Sequence, residues 1–204
     1  MRNHTGEQGS TMIETIMYIS ILGVLGIILA SYAGAVFTRY KTGRIAQQII
    51  DLQKAILAYT AANEDYSTLD KNKMQEEKAI PLDMRDLRHA LGGSIDFGPA
   101  GDGTTNPNEK YMFYITFNGI YQKGCIELLS QGQFYGDGLG MDSLIVNNST
   151  AWYYDKSFYN TASYPRRYRM QSAANPAIVL RPTFPQITEA CNRKDDNSIT
   201  WIFS

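Results

Sequence analysis

Glu14 is the only charged residue between Glu7 and Arg39, and it stands at the front of an apolar run. Residues 16–37 read IMYISILGVLGIILASYAGAVF, without a single charge. At ~1.5 Å rise per residue this stretch makes a helix of roughly 33 Å, enough to cross the hydrocarbon core of a bilayer. A carboxylate at the edge of such a segment costs a few kcal/mol unless it finds a partner. Just upstream the chain reads Gly9-Ser10-Thr11-Met12-Ile13, a small-residue junction leading directly into apolar side chains. One acid in that position calls for a partner, and the identity of the partner bears directly on function.

At 204 residues the chain has room for one domain and an appendage, or for two small domains. Lys and Arg number 19 against 20 Asp and Glu, a net charge of -1 that argues against nucleic acid as the main partner. Beyond residue 110 tyrosines recur, at Tyr111, Tyr114, Tyr121, Tyr135, Tyr153, Tyr154, Tyr159, Tyr164 and Tyr168. Such a run marks a β-rich, half-exposed domain with an adhesive surface. Cys125 and Cys191 both fall in this part. If it is exported they form one disulfide closing a long loop, worth about 4 kcal/mol on the loop-entropy model. In a cytosolic domain they would be two unrelated buried thiols. A segment as long and apolar as residues 16–37 implies export or membrane residence, and so favours the disulfide.

The first nine residues, MRNHTGEQG, are short and polar. A secretory signal peptide runs from a basic start through an apolar stretch to a small-residue cleavage site. Here the small junction Gly9-Ser10 comes first, so cleavage there leaves the hydrophobic helix on the mature chain. Cutting at Ala33 or Ala35 would require an apolar region longer than signal peptides use. Topology is pulled two ways. Arg39, Lys41 and Arg44 beyond the span outweigh Arg2 before it, which favours a cytoplasmic C-terminus. The cysteine pair, the low charge and the Tyr/Asn/Thr/Gly-rich C-terminal part point outward, and the expectation follows them.

From Thr38 the helical pattern continues, but on one stripe only. Ile45, Ile49, Leu52, Ile56 and Tyr59 recur at steps of four and three, with Ala46, Ile50 and Leu57 beside them. Arg44, Gln47, Gln48, Asp51 and Lys54 take the other faces. No proline interrupts residues 10–80, so residues 10–62 are expected to form one helix of ~80 Å. Gly23, Gly26, Gly34 and Gly43 punctuate it, either for close packing against other helices or as points of local weakness at ~1 kcal/mol each.

These features together resemble one family, the type IV pilins and their pseudopilin relatives. Gly9 stands before the scissile bond, Ser10 at the new N-terminus, Thr11 after it, and Glu14 is the fifth residue of the mature chain. An apolar helix running straight into an amphipathic one completes the pattern. The resemblance implies a leader, residues 1–9, cut by a prepilin peptidase on the cytoplasmic side, with methylation of the exposed Ser10 amine. It implies that this amine pairs with Glu14 of a neighbouring subunit inside a filament, while within a single subunit Glu14 stays unpaired. Two charges ~4 Å apart attract by about 4 kcal/mol at an effective dielectric of 20, enough to select register in an apolar bundle. The chain departs from the common pattern at Ser10, where many pilins carry an aromatic or large apolar residue, and at Ser31, where many place a proline.

Residues 63–204 are expected to form a globular head. Residues 63–82 read as a polar, charged connector, and Leu87, Ala90 and Leu91 as a short helix stopped by Gly92-Gly93. Residues 94–97 read as a short strand and 99–109 as a turn-rich loop. The best strand in the chain is 111–117, YMFYITF, closed by the turn signal Asn118-Gly119. Residues 121–129 have helical spacing that buries Cys125. Further strands are expected at 144–146, 152–154, 177–180 and 199–203, with Cys191 just before the last. A bridge from Cys125 to Cys191 would tie that closing strand to the helix. This half resembles the type IVb pilins in particular, through GGSIDFGPA, through YITFNGIYQKGC, and through ITEAC followed by SITWIFS. The expected fold class is α+β: a long N-terminal α-helix, transmembrane then amphipathic, packed on an antiparallel β-sheet head with one disulfide.

No catalytic constellation emerges. The two histidines are His4 and His89, and no His/Cys/Asp/Glu cluster has metal-ligand spacing, so neither a metal nor a cofactor is expected. Gly136-Asp137-Gly138-Leu139-Gly140 follows no strong strand and opens no helix, and reads as a surface turn rather than a nucleotide loop. Asp102, Asp195 and Asp196 read as solvated loop acids rather than Ca²⁺ ligands. The resemblance implies a structural pilus subunit and not an enzyme. It would be processed after Gly9 and held in the inner membrane with its C-terminus periplasmic. Inner-membrane machinery would then assemble it with its own copies into a surface filament for adhesion or aggregation. A type II secretion pseudopilin shares the same physics. A membrane-tethered binding module is the alternative from another class; it would keep its activity as a soluble fragment from about Thr38 onward and would not need Glu14.

Overall fold

The computed structural model describes residues 7–101, 110–131, 141–148, 150–153 and 182–204. The strand expected at 177–180, the loop at 136–140 and Asp102 lie outside them. Two compact units divide the chain, Met1–Tyr40 and Lys41–Ser204. Helix α1 (Glu7–Thr60) contributes to both.

In the second unit α1 buries the expected stripe: Ile45, Ile49, Leu52 and Ile56 are all closed to solvent. Gln48, assigned to an outer face, is buried as well. Its amide is satisfied from two sides, donating to Asp83 Oδ2 at 3.2 Å and accepting from the Ala90 N–H at 2.9 Å. A polar side chain stays in a core when each of its groups has a partner. The stretch after α1 is less of a connector than its charge suggests. Asp70 caps α2 (Lys71–Glu76) by accepting from the Asn72 and Lys73 N–H groups, and Leu69, Met74 and Ile80 point into the core.

Residues 87–91 do not form the expected helix. A 3-10 turn at Leu82–Met84 is followed by Leu87 at φ 56°, and Arg88 pairs with Ser94 in an isolated antiparallel bridge. Three apolar residues are too few to define a helical face against the tertiary contacts of His89 and Gln48.

Among the described residues five strands form one antiparallel sheet in the order β1-β2-β5-β3-β4. They are β1 (Ile95–Pro99), β2 (Phe113–Ile120), β3 (Met141–Val146), β4 (Thr150–Tyr153) and β5 (Asn197–Phe203). Along β2 and β5 side chains alternate faces. Phe113, Ile115 and Phe117, with Ile199, Trp201 and Phe203, join the α1 stripe in the main core. Tyr114 and Ile202 join Ala100, Met112 and Ile145 in a smaller cluster. On that second face Thr116 and Thr200 pair hydroxyl to hydroxyl at 2.8 Å across the strands. Tyr114 is therefore core rather than adhesive surface, whereas Tyr111 is half-exposed. The Asn118-Gly119 signal does not close β2. The strand runs on to Ile120 through a register irregularity opposite β5, with Gly119 at φ 73°. There a turn dipeptide makes a bulge, because the chain continues into a helix instead of reversing.

Helix α3 (Gln122–Ser130) buries Cys125, Leu128 and Leu129 as its spacing requires. Helix α4 (Phe184–Ala190) was not foreseen, although Thr183 and Gln186 form a reciprocal capping box at its start. Cys191 ends α4 and is bonded to Cys125, Cα to Cα 5.9 Å, across 66 residues of sequence. Beside the bridge lies a buried amide network. Asn147 donates to Ala190 O and to Asn197 Oδ1, and Asn197 donates to Ile120 O. The Ser198 N–H in turn donates to Asn147 Oδ1. The disulfide and the two asparagines thus join α3, α4, β2, β3 and β5.

Candidate functional site: the apolar half of the first helix

The first unit inverts the rule that governs the second. Its large side chains face outward: Met12 is 73% exposed, Ile19 64% and Leu29 68%, and the same holds through Phe37 and Tyr40. Soluble chains rarely show an apolar patch larger than a few hundred Å²; larger ones mark membrane or protein contact. The helix is long and apolar enough to cross a membrane, and its most apolar window is wholly unburied. Its hydroxyls suit an apolar medium, since Ser20 donates to Ile16 O at 2.8 Å and Thr38 to Gly34 O at 3.0 Å, each satisfied by its own helix. A Cβ placed on Gly23, Gly26 or Gly34 would meet nothing within 4 Å, so these glycines relieve no crowding inside the single chain.

Glu14 is exposed on this surface. It is not wholly without a partner, as the sequence alone suggested: the Tyr18 hydroxyl, one turn further on, donates to Glu14 Oε1 at 3.4 Å. That contact is long, and weak beside a hydrogen-bonded pair of opposite charges. Tyr18 lies four positions from Glu14, a spacing that was legible beforehand. Ser10 lies four positions on the other side, and the backbone of Gly9 and Ser10 is already helical within α1.

The described residues of the second unit offer little for chemistry. Among the described residues no group of three or more His, Cys, Asp and Glu side chains could hold a metal ion. An open cleft of about 380 Å³ is lined by residues that include Leu57, Tyr66 and Tyr111. Of its two acidic side chains, Glu64 and Asp65, the second is 3.7 Å from Lys110, whose ammonium sits 4.8 Å from the Tyr111 ring centre. Asp65 is held below the usual carboxylate range, chiefly by hydrogen bonds from Ser67. Asp195 and Asp196 are exposed in the turn before β5.

No protein-family model matches the sequence, and no curated protein matches it. Among solved structures the chain is similar to TcpA, a type IV pilin from Vibrio cholerae El Tor biotype. The superposition covers 81% of this chain and 99% of that one, at 14% identity and a TM-score of 0.49. So distant a likeness is one of outline and assigns no residue a role. In its own terms the fold is α+β, with a long apolar N-terminal helix, an antiparallel sheet and one disulfide.

Proposed function

We propose that the chain is a structural subunit of a type IV, IVb-like pilus. The observation that carries this reading is the combination in α1 of a bare, membrane-length apolar surface with one acid, Glu14, placed five residues after a Gly-Ser junction. Prepilin peptidase would remove residues 1–9, and the exposed Ser10 amine would be methylated. Before assembly the subunit would sit in the inner membrane as a single-pass protein, residues 10–37 in the bilayer and the head of residues 63–204 periplasmic. Inner-membrane machinery would then pack the helices of many copies into a filament used for adhesion or aggregation.

In that packing the Ser10 ammonium of one copy meets Glu14 of the next. The pair replaces the weak Tyr18 contact with an ion pair in a medium of low dielectric, where a misplaced copy leaves both charges unpaired. Register follows from that difference. The test is the N-terminus of protein sheared from the cell surface: sequencing should begin at Ser10, as the methylated residue. Protein in surface fibres that begins at Met1, or at a residue beyond Ala33, would sink the proposal.

A further inference from the structure

We propose that His89 is an acid-sensitive latch in the head: a proton taken up by its ring in acid releases the turn of residues 86–94 from β2 while the sheet stays folded. The ring is buried and stacked on Phe117, centroids 5.2 Å apart and planes within 5°. Nε2 lies 2.7 Å from the Asn118 carbonyl oxygen, and the Leu91 N–H donates to Nδ1 at 3.2 Å. A carbonyl can only accept and an N–H can only donate, so the tautomer follows: the proton is on Nε2 and Nδ1 is bare. The neutral ring is therefore satisfied at both nitrogens. Its imidazolium would point an N–H at the Leu91 N–H, losing that bond and leaving a buried cation.

The turn has no room in which to adjust. A Cβ on Gly93 would collide with the Asn118 carbonyl oxygen and with His89 Nε2, so ring, glycine and bulge are already in closest approach. Leu87 is held at φ 56°, a conformation that costs an L residue energy and that the latch maintains. Four charged groups nearby have partners away from the ring. Asp86 accepts from the Arg88 N–H, Arg88 Nη1 donates to Gly92 O, and Arg44 of α1 pairs with Asp83. The facing residues of β2 are Phe117, Asn118 and Gly119, which carry no charge.

Burial pushes His89 below its ordinary value of 6.5, and the Asn118 bond offsets this only in part. An open turn frees the ring to titrate normally, so open forms bind more protons than closed ones between the two values. Closure is then fully favoured above pH 6.5 and is lost as pH falls below it. Release stays local because, besides the His89 ring itself, the turn contributes only the half-buried Leu87, Ala90 and Leu91 to the core, and the pairing of β2 with β5 does not pass through it.

The test is amide hydrogen exchange on the full chain in detergent micelles, corrected for the intrinsic effect of pH. Relative to pH 8, exchange in residues 86–94 should rise progressively, by no more than about 10-fold at pH 5.5 and no more than about 30-fold at pH 5.0, with residues 199–203 unchanged. His89→Gln should abolish the dependence. A flat profile in the wild type, or a rise shared by the whole head, would overturn the latch. If the variant misfolds, ring ¹⁵N shifts of the wild type decide. They should report the Nε2–H tautomer at neutral pH and protonation in step with exchange at 86–94; protonation without faster exchange would overturn the proposal.

Discussion

One helix is used in two opposite ways. Before Tyr40, α1 leaves Ile, Leu, Val, Met and Phe side chains in the open; after Lys41 the same kind of residue is closed to solvent at every fourth or third position. Ile19 is 64% exposed and Ile49 is 1% exposed, with the same side chain in the same secondary structure. The difference lies in what the rest of the chain supplies. The second half meets a sheet carrying Phe113, Phe117 and Trp201 and gains its hydrophobic free energy within the fold. The first half has that free energy still to gain, from lipid or from other copies. A segment whose burial is deferred in this way can drive assembly.

The comparison can be broken at four points, taken from the largest expected effect to the smallest. Glu14→Ala should abolish surface fibres, scored by electron microscopy of sheared material, while shifting the head's unfolding by less than about 0.5 kcal/mol. Normal fibres from that variant would remove the acid's role in assembly. Replacing Cys125 and Cys191 together by Ser should cost the head roughly 2–5 kcal/mol, read from denaturant titration of Trp fluorescence in micelles. A loss below about 1 kcal/mol would mean that the Asn147–Asn197 network holds the same elements by itself. Ile49→Ala should destabilise the head by about 2–5 kcal/mol, whereas Ile19→Ala should leave it within about 0.5 kcal/mol. Equal effects would erase the division between the two halves. Arg44→Ala removes a 2.9 Å pair with Asp83 whose members are both partly exposed, and should cost no more than about 1 kcal/mol. A larger loss would place Arg44 within the network of the buried Gln48, which shares Asp83.

Much of the head was readable for local reasons. β2 and β5 are short runs of β-branched and aromatic residues, and α3 repeats its apolar positions with helical spacing. Others were missed where local signals were weak or ambiguous. Asn118-Gly119 marks backbone at positive φ, which serves a hairpin turn or a bulge equally well; only the pairing of Ile120 with Asn197 decides between them. The capping box of α4 could have been found in TFPQITEA, but the helix is only seven residues long. Leu87, Ala90 and Leu91 suggested a helix because their spacing is local information, whereas the bond from Asn118 to His89 joins residues 29 apart.

Glu14, the glycines at 23, 26 and 34 and the charge-free run are properties of the chain itself. No later contact can restore charge to those 22 residues, so the sequence alone determined that this helix needs an apolar environment. What it could not determine was which polar side chains would go inside. Gln48 and Asn197 are buried and Asp51 and Lys54 are not, although all four look alike in a hydropathy pattern. Burial of a polar group depends on a partner arriving from a distant part of the chain with the right geometry, and that is settled only when the tertiary structure closes.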